Sequence, residues 1–147
     1  MNSEFTDAEQ SPGFLLWQVT NTWQREIRRV LDPLELTHPQ FVMLVSCQWL
    51  NDQTGRAGVT QVQLAQHAQM DVNVTSQVLR TLEKKGFVKR SPHPTDTRAN
   101  VITTTPHGNE LASQAIQAVE AADRAFFDSI GEEKANLVRL MLQLLKK

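Results

Sequence analysis

The pattern of apolar and polar positions divides this chain of 147 residues into several helices and one short β-rich interval. Ser11 followed by Pro12 is typical of a helix start, because serine caps the free amides and proline fits the first turn. Apolar residues then recur at three- and four-residue steps as far as Leu31, which predicts an amphipathic first helix. A second helix is expected from the Thr37 cap to about Leu50, and the polar residues that follow predict a loop.

Two more helices are predicted at the C-terminal end of the chain. Thr105 and Pro106 open a long helix that reaches about Asp128. About 23 helical residues span roughly 35 Å, more than a small domain covers, so part of this helix's apolar stripe is expected to meet a partner. The last helix has an apolar stripe of its own, formed by Leu137, Leu140, Met141 and Leu144.

The segment between residues 60 and 86 predicts a helix-turn-helix. Thr60 and Gln63 fit a capping box, in which each side chain satisfies the backbone amide of the other residue. The short helix that they begin ends before Asp71, which is a good N-cap for the next helix. That second helix is expected over about residues 72–85, and Gly86 closes it.

The second of these helices has two different faces. Val74, Val78 and Leu82 lie four residues apart, and we expect them to face the core with Leu79 beside them. The opposite face has amide, hydroxyl and guanidinium groups, which bond to base edges and phosphates in a DNA major groove. An ordinary solvated helix face is the alternative interpretation. The candidate DNA-binding residues of this helix are Asn73, Thr75, Ser76, Gln77, Arg80 and Lys84.

Residues 87–105 predict a β-hairpin, or wing, directly after the second helix. Two β-prone runs are separated by prolines, which exclude regular structure over residues 91–95. Such a wing follows the DNA backbone and places an arginine in the narrow minor groove, and Arg98 is the candidate. Asp96 is expected to pair with Arg98 and hold its direction. A surface pair that only fastens the hairpin is the alternative.

Positive charge is concentrated in the same part of the chain. Six basic and two acidic residues between Arg80 and Arg98 give +4, whereas the whole chain carries −1, so the remainder carries −5. The basic residues therefore lie where the predicted fold would meet phosphates, and the acidic remainder limits non-specific attraction to nucleic acid. Arg90 and Arg56, the latter in the loop before the helix-turn-helix, are further candidates for DNA contacts.

The order of these elements resembles the multiple antibiotic resistance regulator (MarR) family over nearly the whole chain. The resemblance is carried by the run from Glu83 to Arg90, by the Asp96-x-Arg98 wing, and by Thr105-Pro106-His107-Gly108 at the start of the long helix. It implies a mainly α fold with a small β wing, a winged helix-turn-helix domain with N- and C-terminal dimerisation helices.

The resemblance also implies how residues 1–147, a single domain, are organised. Dimerisation helices are expected over residues 11–31 and 106–147, and the winged helix-turn-helix over 37–105, with recognition helix 72–85 and wing 87–105. Twofold symmetry of a homodimer then places two recognition helices on one face of double-stranded DNA, about one turn apart.

In the resembling family, a crevice between the dimer helices and the winged domain often binds small aromatic or phenolic anions, and this releases DNA. The candidate pocket residues here are Trp17, Trp23, His38 and Phe41, with Trp49 nearby and Arg25 or Arg28 as the source of positive charge. Aromatic residues at such positions are more often part of the core. Some members of this family respond to oxidants through a cysteine, which makes Cys47 a second candidate sensor. The alternative is that it is inert, because it lies in an apolar helix without a basic neighbour in sequence, where a thiol tends to stay protonated.

Other functions receive little support from the sequence. The four histidines and the single cysteine show no metal-ligand spacing, so no metal and no cofactor is expected. No phosphate loop, nucleophile elbow or acid-base pair of carboxylates is visible, so no catalytic residue is assigned. The longest apolar run, Phe41 to Val45, is far too short for a membrane span, and one cysteine excludes an internal disulfide.

We therefore expect a cytoplasmic, homodimeric regulator of transcription that binds a specific DNA sequence. In this interpretation it is a repressor that a small ligand releases from a pseudo-palindromic operator. The alternative is a winged-helix dimer that acts as a protein-interaction module without specific DNA binding, and a small hydrolase is a third.

Overall fold

The protein is described by a computed structural model over residues 2–96 and 98–147, which form six α-helices and a two-stranded sheet. The helices are α1 (Pro12–Leu31), α2 (His38–Gln53), α3 (Gln61–Ala68), α4 (Val72–Lys84), α5 (Pro106–Phe127) and α6 (Glu133–Leu144). The strands β1 (Val88–Pro92) and β2 (Asn100–Thr104) pair in antiparallel register, with Val88 opposite Thr104. This confirms the mainly α fold with a small β wing.

Side-chain caps set the starts of the helices. The capping box predicted at the start of α3 is present: the Thr60 hydroxyl accepts the amide of Gln63 at 3.2 Å, and the Gln63 side chain accepts the amide of Thr60 at 2.9 Å. The Asp71 carboxylate accepts two backbone amides at the start of α4, as predicted. The side chains of Ser11, Thr37 and Thr105 cap α1, α2 and α5 in the same way.

Helix α2 lies at the centre of the fold and packs against α1, α3, α4, α5 and β2. The core that surrounds it combines large aliphatic side chains with alanines on α5, where small residues let the helices approach closely. Its fully buried large side chains include Ile27, Leu31, Met43, Leu44, Leu64, Leu79, Leu82 and Ile102.

The outer edge of β2 is closed by Asn51, near the end of α2, and by two residues of the segment that joins α2 to α3. Val59 forms a one-residue bridge with Ile102, through N···O distances of 3.1 and 2.7 Å. Further along the same edge, the Asn51 side chain accepts the amide of Thr104 at 2.9 Å and donates to the Ile102 carbonyl at 3.1 Å. Arg56 donates to the Thr104 carbonyl at 2.7 Å. Side chains therefore take the place of a longer third strand.

Two boundaries differ from the sequence prediction. The loop expected from Asn51 onward begins later, because α2 continues to Gln53. Asn51 is fully buried there, and its bonds to β2 offset the weak helix preference of asparagine. Ser91 and Pro92, expected to be irregular, belong to β1. Proline is tolerated at the end of a strand, where no ladder bond from its nitrogen is needed.

The base of the wing and the start of α5 come unusually close. The Thr105 hydroxyl donates to the Gly86 carbonyl at 2.6 Å, and a Cβ atom on Gly108 would collide with the carbonyl oxygen of Phe87. Only glycine therefore fits at position 108, and its lack of a side chain lets the base of the wing contact the start of α5.

The terminal helices leave much of their apolar surface uncovered within one chain. No residue of α6 is buried, and its side chains Val138, Leu140, Met141, Leu142 and Leu144 are exposed. The first two turns of α1 are similar, with Phe14, Leu15, Leu16, Trp17 and Val19 exposed. Among the described residues, no helix combines the length and apolarity needed to cross a membrane.

Candidate nucleic-acid interface

The outward face of α4 is polar and basic. Asn73, Gln77, Arg80 and Lys84 are all exposed, and their spacing places them along one side of the helix. Leu79 and Leu82 on the opposite side are fully buried and hold the helix against the core. The structure therefore brings four of the six predicted residues of this helix together on one accessible surface.

The other two predicted residues are placed differently. Ser76 lies half-buried beside the outward face. Thr75 is fully buried, and its hydroxyl donates to the Asp71 carbonyl at 2.8 Å, so its side chain faces the core and not a groove. The prediction that Thr75 contacts DNA is wrong for this reason.

The prediction for Val74 is wrong in the opposite sense. It was expected in the core, yet its side chain is 43% exposed. The buried stripe of α4 runs through Thr75, Leu79 and Leu82, with Val78 at its edge. The sequence pattern favoured Val74 because valine is apolar, whereas Thr75 is accommodated in the core by bonding its hydroxyl to the preceding turn. The two neighbours have therefore exchanged the roles predicted for them.

The tip of the wing is organised by the side chains of His93 and Asp96. The Nδ1 atom of His93 accepts the backbone amides of Thr95 at 3.2 Å and Asp96 at 3.0 Å. The Asp96 carboxylate accepts the backbone amide of Arg98 at 3.0 Å. The support predicted for Asp96 thus acts on the backbone of Arg98, whose side chain is exposed at the tip. No local sequence pattern indicated this contribution of His93.

The two remaining arginines make contacts within the protein. The Arg90 guanidinium lies 3.6 Å from the carboxylate of Glu83, which connects the wing to the end of α4. Arg56 donates to the hydroxyl and the carbonyl of Thr104, at 3.1 and 2.7 Å, and lies 3.8 Å from Asp52. The structure therefore gives Arg56 a role in fastening the edge of β2, which sequence analysis did not predict.

A cavity of about 500 Å³ lies between α1, the start of α2 and the end of α3. Arg28 and His38 contribute its ionisable groups together with Asp32, and Leu36 and Met70 contribute apolar walls. Burial lowers the pKa of His38; the Asp123 carboxylate opposes this shift and the Arg28 guanidinium adds to it. The lowered pKa favours the neutral imidazole at neutral pH, and the Arg28 guanidinium is the permanent cation among the lining residues.

Most of the aromatic residues predicted for a pocket lie outside this cavity. Trp23 donates its indole N–H to Asp123 at 2.7 Å and its ring lies 5.1 Å from that of His38, but it is not among the residues that line the cavity. Phe41 packs against the core, and Trp17 is 66% exposed on the outer face of α1. Trp49 stacks on His67 at 5.3 Å. Of the four candidates, His38 alone is among the residues that line the cavity.

Cys47 is buried in the core. Burial raises the pKa of its thiol to about 12, against a smaller opposing effect of Arg56. The thiol is therefore protonated at neutral pH, which agrees with the unreactive character predicted from its apolar surroundings. In the part of the chain that the structure describes, no group of three His, Cys, Asp or Glu side chains is arranged to hold a metal ion.

Comparison with known proteins identifies the family. The model of the MarR family matches residues 36–99. The HTH-type transcriptional regulator YdcH of Bacillus subtilis is 42% identical over 147 residues, which cover 99% of this chain and 97% of that protein. An HTH-type transcriptional repressor of Mycobacterium tuberculosis is 35% identical over 117 residues, 79% of this chain and 80% of that protein. The chain belongs to the MarR family.

A solved structure has a similar fold over nearly the whole chain. The crystal structure of CouR from Rhodococcus jostii, bound to p-coumaroyl-CoA, is 27% identical and has a TM-score of 0.80, over 96% of this chain and 95% of that one. The similarity extends over the terminal helices as well as the winged domain. It confirms the family and fold that the sequence motifs indicated.

Proposed function

We propose that this MarR-family protein is a transcriptional repressor that binds operator DNA as a homodimer. The observation that carries the proposal is the outward face of α4, where Asn73 and Gln77 stand beside Arg80 and Lys84. Side-chain amides suit adenine, and arginine suits guanine or phosphate, in the major groove. The same helix is anchored to the core by its other face, so these groups project from a rigid support.

The wing extends the same surface. Arg98 is exposed at the tip, and the bonds from Asp96 and His93 fix the backbone that carries it. A fixed backbone lowers the entropy lost when an arginine side chain is ordered in the minor groove. We propose that Arg98 enters the groove next to the one that α4 occupies.

The uncovered apolar faces of α1 and α6 support the homodimer. A helix of twelve residues is marginally stable in water by itself, and α6 buries none of its residues within one chain. Packing the ends of α1 and α6 against those of a second copy would cover both apolar surfaces. We therefore propose residues 11–31 and 106–147 as the dimerisation segments, whose symmetry pairs two recognition helices on a pseudo-palindromic operator.

The cavity beside Arg28 supports the proposed control by a ligand. It combines a cation with apolar walls, a combination that suits a small aromatic or phenolic anion. It also lies against the end of α3, the helix that precedes the recognition helix. Occupation of the cavity would therefore act on the position of α3 and α4 relative to α1.

No catalytic role and no cofactor is proposed for this chain. The groups that line the cavity suit the recognition of an anion, and the α4 face suits the recognition of bases. A repressor acts where the chromosome lies, so the proposed site of action is the cytoplasm.

The test is a titration of labelled duplex DNA with the purified protein in a salt series. A DNA-binding repressor should lose affinity steeply as salt rises, because each phosphate contact releases counterions. A protein-interaction module would show neither a steep salt dependence nor a preference among promoter fragments. Binding that does not depend on salt or sequence would contradict the proposed function.

Two variants of α4 separate base recognition from attraction to phosphate. Gln77→Ala should reduce the preference for operator over scrambled duplex by about 1 to 3 kcal/mol without changing the salt slope. Lys84→Ala, two turns further along α4, should weaken both duplexes alike and reduce the slope by about one unit. If Gln77→Ala weakens both duplexes equally, α4 supports binding but does not read the sequence.

A further inference from the structure

The exposed side chain of Val74 has no evident structural purpose in α4. It is 43% exposed, whereas Thr75 beside it is fully buried. A β-branched residue is slightly unfavourable in a helix, so local helix stability does not explain valine at this position. Nor does the core, because Val78 and not Val74 packs at its edge. The surface to which Val74 contributes is the one already proposed to face DNA.

The position of Val74 on that surface is defined by helix geometry. Residues three and four apart are neighbours on a helix, so Val74 adjoins Gln77 on one flank of the outward face. Val72 is similarly exposed, at 49%, but two residues correspond to about 200° of rotation, which places it on the other flank. Val74 and Gln77 therefore present neighbouring side chains on the same part of the helix surface.

The chemistry of the two side chains is complementary to an A·T pair. A glutamine amide bonds to N6 and N7 of adenine in the major groove, and the thymine of an A·T pair presents its C5-methyl group there. A valine beside the amide has two methyl groups available for an apolar contact. Covering these methyl groups on binding removes apolar surface from water on both molecules.

We propose that Val74 recognises the C5-methyl group of a thymine in each operator half-site, next to the adenine that Gln77 contacts. This inference rests on the proposed function and adds a base preference to it. Val74 is then a specificity-determining residue, and the operator contains an A·T pair at the same position in both half-sites.

The experiment first selects duplexes from a randomised library with the wild-type protein. Each thymine of the selected duplex is then replaced by deoxyuridine, which removes the methyl group and keeps the base pairing. Affinities are measured for wild type, Val74→Ala and Val72→Ala. The last variant is the matched control, because it shortens a similarly exposed valine of the same helix. Circular dichroism checks that the helix content of each variant is unchanged.

Wild type should bind about fourfold more weakly when one symmetry-related thymine is replaced, and about sixteenfold more weakly when both are replaced. Val74→Ala should bind the thymine and deoxyuridine duplexes alike at that position. Val72→Ala should retain the wild-type ratio of affinity for the thymine duplex to affinity for the deoxyuridine duplex.

Four results would overturn the inference. Wild type that is insensitive to deoxyuridine at every position, or Val74→Ala that keeps the wild-type ratio, would reject it while leaving DNA binding intact. If Val72→Ala no longer distinguished thymine from deoxyuridine while Val74→Ala still did, the methyl contact would belong to Val72 on the other flank of the helix. If the library yields no enriched duplex, the proposed function itself fails, and the inference fails with it.

Discussion

Replacing Asn51 with leucine tests how the wing is held against the rest of the fold. Asn51 is fully buried on α2, and its side-chain amide makes two bonds to the outer edge of β2. Leucine has a similar size but can neither donate nor accept. The substitution therefore removes the polar connection between α2 and the wing while it keeps most of the volume filled.

The expected cost follows from what each backbone group retains. The Ile102 carbonyl still accepts the amide of Val59 at 3.1 Å and the Cys47 thiol at 3.8 Å, so it loses one of three donors, at about 0.5 to 1.5 kcal/mol. The amide of Thr104 loses the Asn51 oxygen, its acceptor on that edge, and a buried unsatisfied donor costs about 1 to 3 kcal/mol. We expect the free energy of unfolding to fall by about 1.5 to 4.5 kcal/mol.

The assay is urea unfolding followed by circular dichroism, at one protein concentration because a dimer's stability depends on concentration. Gln48→Met is the matched control. Gln48 lies on the same helix and donates to Asn109 at 3.3 Å, but both side chains are only partly buried and water can replace their bond. Its loss should cost less than about 1 kcal/mol. If the free energy of unfolding of Asn51→Leu also lies within about 1 kcal/mol of the wild-type value, the reasoning is refuted.

Four further predictions follow from other parts of the structure. Gly108→Ala should destabilise the fold by about 2 kcal/mol or more, because the new methyl group meets the Phe87 carbonyl; an unchanged urea midpoint would contradict the close approach. Wild type should lose stability as pH falls below 6.5, since the unfolded chain then takes up a proton that folded His38, with its lowered pKa, does not. The loss of stability ends once the pH is below the pKa of His38 in the folded protein. The free energy of unfolding, measured above and below pH 6.5, should therefore change less in His38→Gln than in wild type. Removal of residues 129–147 should leave a folded monomer by light scattering, because no residue of that segment is buried; a dimer would exclude α6 from the interface. Arg98→Ala should weaken operator binding by about 1 to 3 kcal/mol with an unchanged thermal midpoint, and unchanged affinity would remove Arg98 from the interface.

The sequence by itself determined the local structure and the family. Helix starts depend on residues three positions apart, so Thr60, Gln63 and Asp71 could be identified from their types and spacing alone. The polar face of α4 and the exposed Arg98 in the wing could be predicted for the same reason, since helical periodicity and turn residues are local properties. The MarR-like motifs then gave the order of the elements.

Contacts between residues distant in the chain were decided only by the tertiary structure. Asn51 and Arg56 meet Thr104 across about fifty residues, and no local pattern records that a sheet edge there lacks a third strand. Thr75 and Val74 exchanged their expected roles because a hydroxyl that bonds to its own helix can be buried, while an apolar side chain can remain exposed. Hydrophobicity identifies which residues can be buried. Packing against the other elements decides which of them are.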